Sequence, residues 1–159
     1  MGTRYEGTDR ERRALNTFIR MMRAADTVGQ ELSRELLARH RLTLSQLGVL
    51  EALLHLGPLC AGELSRRILR SPGNLTTVLT NLETRSLVRR VRSEHDRRFV
   101  LVELTDTGQE LISGLFPAHV ASIVELLDSL DPDEQEQLGA LCRKLGLGIR
   151  ERGRQGAVD

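Results

Sequence analysis

The chain has 159 residues, 40% hydrophobic and 3% aromatic, which is enough for one medium core or two small ones. A net charge of +1 would argue against a strongly basic nucleic-acid binder, but the charge is segregated. Residues 60–100 hold nine Arg against four acids (+5), whereas residues 101–142 hold nine acids and no Lys or Arg (−9).

From Leu15 onward, Leu15, Phe18, Met22, Ala25, Gly29, Leu32 and Leu36 alternate at spacings of three and four, which predicts one long packed helix from about Arg10 to His40. Thr43 and Gln46 have capping-box spacing, and Leu47, Leu50 and Leu54 line a second helix that Gly57-Pro58 stops. A short helix follows from Ala61 to about Leu69. Ser71-Pro72-Gly73-Asn74 then starts another, with a cap at Ser71, Pro72 at the first helical position, and Leu75, Val78, Leu79 and Leu82 inward. Two short helices across a tight turn make a helix-turn-helix.

After Leu87 the period falls to two. Residues 87–92 and 99–104 read as strands joined by the polar turn 93–98, a hairpin wing. Thr105 caps a second long helix carrying Leu111, Leu115, Val120, Ile123, Leu127 and Leu130, which Pro117 is expected to bend. Asp131-Pro132-Asp133-Glu134 starts a last helix with Leu138, Leu141, Leu145 and Ile149 inward, and Cys142 falls on the same core side. The expected architecture is mainly α with a small β-hairpin wing: a winged helix-turn-helix over 42–105 and a long-helix layer from 1–41 and 106–159. The flanking apolar stripes exceed what the small middle module can cover, which implies a homodimer.

A helix that reads the major groove needs short polar side chains outward and apolar ones behind. Asn74, Thr76, Thr77, Thr80 and Asn81 supply that face, and the positive helix N-terminus at Ser71 and Gly73 favours phosphate. Asn can read adenine edges, and Thr can meet phosphate or a thymine methyl. Arg66, Arg67 and Arg70 on the preceding helix, with Arg89, Arg90 and Arg92 at the wing base, are candidate phosphate contacts. In the wing turn, Asp96-Arg97-Arg98 sets a carboxylate beside guanidiniums suited to a narrow minor groove.

Taken in order, Leu42 to Leu50, Gly62-Glu63-Leu64-Ser65, Gly73 to Thr76 through Asn81-Leu82-Glu83, Leu87 to Arg90, Asp96-Arg97-Arg98 and Leu104 to Gly108 resemble the MarR family of bacterial transcriptional regulators. The resemblance implies a homodimer on a pseudo-palindromic double-stranded operator, usually a repressor, released by a small aromatic or lipophilic ligand or by thiol oxidation. It also implies a recognition helix from Ser71 to Arg85, a buttress at Asp96, and Arg98, with or without Arg97, in the minor groove. Two departures stand out: Cys60 replaces the Thr or Ser that caps the first helix of the motif in many members, and the oxidation-sensing cysteine of one branch is absent. The segments 45–53 and 116–119 look most like a branch that controls quinone and aromatic-compound detoxification.

In that architecture the ligand lodges where the first, second and fifth helices meet, which makes His40, His55, Phe116 and His119 the candidate pocket residues. Cys60, at a helix N-terminus, is the candidate redox or electrophile sensor. The cysteines and histidines give no zinc spacing or disulfide framework, and no motif of a hydrolase, zinc protease, P-loop or dinucleotide enzyme occurs. No metal, cofactor or membrane partner is expected, and neither a signal peptide nor a spanning stretch is evident, so the expected compartment is the cytoplasm. The four scattered aromatics argue against stacking on RNA or single strands. A competing class, a helical protein-interaction adaptor without DNA affinity, would place acids or large apolar residues where this chain has Thr, Asn and Arg.

Overall fold

The computed structural model describes residues 4–68, 75–92 and 100–155. In chain order the elements are α1 (Asp9–His40), α2 (Leu44–Leu56), β1 (Leu59–Cys60), α3 (Ala61–Arg67), α4 (Leu75–Thr84), β2 (Val88–Arg92), β3 (Val100–Leu104), α5 (Asp106–Leu127) and α6 (Pro132–Gln155).

Side-chain caps set the helix starts. Thr8 Oγ1 accepts from Glu11 N (3.3 Å) while Glu11 Oε2 accepts from Thr8 N (2.8 Å), so α1 begins at a Thr-x-x-Glu box just ahead of the expected Arg10. The same reciprocal pair joins Thr43 and Gln46 at α2, and Asp131 and Glu134 at α6. α1 ends on Arg41 in the left-handed region (φ 52°) without a glycine, whereas α2 ends on Gly57 (φ 73°), a conformation in which a side chain would be strained.

The sheet has three strands rather than the two of a simple hairpin. β1 pairs antiparallel with β3 through Leu59↔Val102 and Cys60↔Leu101, and β3 pairs with β2 from Val88↔Leu104 to Arg92↔Val100. A two-residue strand has no period to detect, so only burial of Leu59 marks it.

The chain packs as two units, residues 1–120 and 121–159. In the first, one apolar cluster joins Leu36 of α1, Leu50 and Leu53 of α2, Leu64 of α3, Leu79 and Leu82 of α4, Val102 of β3, and Ile112 and Leu115 of α5. Truncating a fully buried member such as Leu82 to Ala costs about 2–5 kcal/mol by transfer and cavity terms together. Within this shared core α4 packs directly on α2 and β2, the geometry on which the candidate site depends.

The second unit corrects one expectation. Leu138, Leu141, Leu145 and Ile149, expected inward, are exposed, Leu141 at 64%, and Cys142 beside them is exposed as well. Phe18 (55% exposed) and Met22 of α1 behave the same way, while Leu32 and Leu36 further along that stripe are buried. Periodicity identifies the residues that share a face but not what covers it. α5 is apolar enough by length and composition to cross a membrane, with a mean hydropathy of 1.4 over 18 residues. Its C-terminal half leaves Val120 and Val124 exposed.

Candidate nucleic-acid interface

α4 is amphipathic across a narrow helix. Val78, Leu79 and Leu82 are buried, while Thr76, Thr77, Thr80 and Asn81 are exposed. Thr76/Thr80 and Thr77/Asn81 are each four residues apart, so the four polar groups form two adjacent rows on one face. Ser71, Gly73 and Asn74 of the expected recognition helix, Arg70 before it, and Asp96, Arg97 and Arg98 of the wing turn lie outside the described residues.

The remaining candidate arginines lie on the elements that precede and follow α4 in the chain. Arg66 and Arg67 are exposed in the last turn of α3, and Arg89, Arg90 and Arg92 are exposed on β2. Two of them carry internal partners that the sequence alone did not reveal. Arg89 Nε donates to Glu103 Oε1 at 2.6 Å, because these two residues sit directly opposite in the β2–β3 register. Arg90 Nη2 lies 3.3 Å from Glu83 Oε2 on the last turn of α4. Both pairs are partly exposed, so each contributes little to stability, and both leave the guanidinium charge already partnered.

At the start of α3, Cys60 is half-exposed and its backbone N–H donates to Glu63 Oε2 (3.1 Å). That bond, with the Cys60 thiol, holds the Glu63 carboxyl below its ordinary pKa, and Arg66 and Arg67 add to the effect.

Among the described residues the four pocket candidates fall in two pairs, His40 with His119 and His55 with Phe116. His40 and His119 line a void of about 20 Å³ together with Glu35, Leu36 and Arg39, which is room for about one water and not for an aromatic ring. His55 and Phe116 meet edge to face, with ring centroids 5.4 Å apart at 67°. His119 is half-buried, and burial lowers its pKa against the opposing pull of Glu51 and Glu35.

The larger space lies between α2 and α3, an open groove of about 590 Å³ that includes His55, Glu51, Ser45, Arg67 and Ile68. Glu51 and Arg67 were missed as lining residues. The signal was present, since Ser45, Gly48, Ala52 and His55 recur at spacings of three and four as a small and polar stripe on α2. Among the described residues, no group of three His, Cys, Asp or Glu side chains is placed to hold a metal ion.

A second helix with a polar outward face and an inward face locked into the core, followed by an antiparallel strand pair and edged by arginines, defines a winged helix-turn-helix DNA-binding protein. The transcriptional regulator SarA/Rot family matches residues 31–115. The uncharacterized HTH-type transcriptional regulator YkoM of Bacillus subtilis (strain 168) is 33% identical over 135 residues, 85% of this chain and 87% of that protein. Among solved structures, the fold resembles Sco3205, a MarR family transcriptional regulator from Streptomyces coelicolor solved in complex with DNA (TM-score 0.80, 24% identity, 91% of each chain). It also resembles Bordetella bronchiseptica BpsR, whose DNA binding is regulated by 6-hydroxynicotinic acid (TM-score 0.72, 25% identity, 79% of this chain and 89% of that one). This chain belongs to the MarR family of winged-helix transcriptional regulators, and it is a DNA-binding protein rather than an enzyme.

Proposed function

We propose that the protein is a homodimeric repressor that binds a pseudo-palindromic operator and is released by a small aromatic or lipophilic ligand. The observation that carries this reading is the Thr76/Thr77/Thr80/Asn81 face, exposed on a helix whose other side is anchored in the core. Hydroxyl and amide groups there suit base edges and phosphate, and the exposed Arg66, Arg67 and Arg92 of α3 and β2 suit the DNA backbone. A protein-interaction adaptor would present acids or large apolar groups on that face. The wing residues Asp96, Arg97 and Arg98 complete the interface in this reading.

The dimer is supported by the exposed apolar stripes on α1, the second half of α5, and α6, which leave large hydrophobic side chains in water in the single chain. In the proposed division, residues 1–41 and 106–159 pair the two copies while 42–105 reads DNA. Ligand response is supported by the groove of about 590 Å³ beside His55, in the size range of small-molecule sites, and by the behaviour of BpsR. A thiol-sensing repressor is the second reading, favoured by the half-exposed position of Cys60 just ahead of α3. Release from DNA by a quinone in wild type but not in Cys60→Ser would establish it.

Selection from a random duplex library tests the main reading. The expected product is an inverted repeat with half-sites centred about 10 base pairs, or a multiple of that, apart. Enrichment of a single asymmetric site would overturn the two-fold reading.

A further inference from the structure

Three helix ends converge on residues 85–87. Arg85 follows the last turn of α4, and its guanidinium reaches across 44 and 45 residues of sequence: Nη1 donates to Arg41 O at 2.8 Å and Nη2 to His40 O at 3.1 Å. Those carbonyls terminate α1, where the last C=O groups of a helix lack intrahelical partners and carry partial negative charge. Ser86 takes φ 54°, which turns the chain out of α4. Its carbonyl accepts from Thr105 Oγ1 at 2.6 Å, and the same hydroxyl oxygen accepts from Gly108 N at 3.0 Å to cap α5. Thr105 N donates to Leu87 O at 3.2 Å, and Gly108 packs so closely that a Cβ there would meet Leu87 O at 1.9 Å.

We propose that Arg85 is a positioning residue for DNA reading, a clamp that sets the angle of α4 against α1 and α5 without touching DNA. The inference rests on the reading of α4 as the DNA-reading helix. Arginine suits the task because its rigid planar fork satisfies two neighbouring carbonyls at once, whereas a lysine ammonium keeps the charge but does not fix direction. The anchors are main-chain atoms, which cannot swing away as side-chain partners can. The clamp is also placed to carry a signal, since His40 supplies one of its carbonyls and lines the small void beside His119. A displacement of the end of α1 would therefore reach α4 through Arg85.

The test uses the full-length protein, the selected operator and an unrelated duplex. Binding is measured across a salt series for wild type, Arg85→Gln, Arg85→Lys and, in parallel, Thr77→Ala with Asn81→Ala. For Arg85→Gln the expected result is about a tenfold loss of operator affinity, with unrelated DNA within about twofold of wild type, an unchanged salt slope and folding intact by thermal melt. Arg85→Lys should recover part of the loss. A salt slope reduced by about one, with both duplexes weakened equally, would make Arg85 a phosphate contact and overturn the proposal. Operator binding within twofold of wild type in both Arg85 variants would also overturn it. If the Thr77/Asn81 variant alone binds operator like wild type, the α4 reading fails, and the inference falls with it for a distinguishable reason.

Discussion

His119 sits where α1, α2 and α5 come together, half-buried, with the carboxylates of Glu35 and Glu51 acting on it. Burial dominates and pushes its pKa below the ordinary histidine value of about 6.5. The unfolded chain then binds more protons than the folded one between those two values. The stabilising contribution is complete above about pH 6.5 and is lost as pH falls toward the lower, folded-state value. Glu11 and Glu63, whose pKa values are lowered by hydrogen bonds from Thr8 and Cys60, lose their contributions only below the ordinary carboxylate range. Denaturant unfolding at stepped pH should therefore show stability falling as pH drops below about 6.5, a fall that flattens in His119→Gln. An identical pH profile in the variant would show that His119 is not the titrating group. The sequence singled out this residue but assigned it to a ligand pocket. The packing that buries it comes from three helices far apart in the chain, so no local pattern carries it.

Helices and their caps were the most legible elements. Thr43 with Gln46 and Asp131 with Glu134 mark helix starts because the capping bonds are local, spanning three residues. β1 was not legible, and neither was the pairing of Arg89 with Glu103 or of Arg90 with Glu83, because each depends on register or packing between segments. These pairs alter what the arginines are expected to contribute. A guanidinium already neutralised by a carboxylate displaces fewer counterions when it meets phosphate. Arg66→Ala should lower the steepness of the log affinity against log salt plot by about one, and Arg89→Ala by less. Equal reductions would mean that the Arg89–Glu103 pair opens fully on DNA.

For the whole molecule, the charge segregation follows the fold. The described part of the +5 segment of residues 60–100 includes α3, α4 and β2, and the −9 segment of residues 101–142 runs from β3 through α5 into α6. Long apolar stripes were visible in the sequence and exceed what the middle module can cover, and in the single chain Phe18, Leu141 and Ile149 on them are exposed. That exposure motivates the proposed dimer. Leu141→Glu places a charge on the α6 stripe at a position 64% exposed in the single chain, so it should leave helix content unchanged while shifting sedimentation toward the single chain. A variant that remains the same size as wild type would move the interface elsewhere. The central claim is that the Thr/Asn face of α4 supplies sequence specificity while arginines supply affinity. Its most direct test is fluorescence anisotropy with wild type and the Thr77→Ala/Asn81→Ala variant on the selected operator and on a shuffled duplex at the same salt. The account predicts that the variant loses about 10- to 100-fold on the operator and little on the shuffled duplex. Undiminished preference for the operator would contradict it.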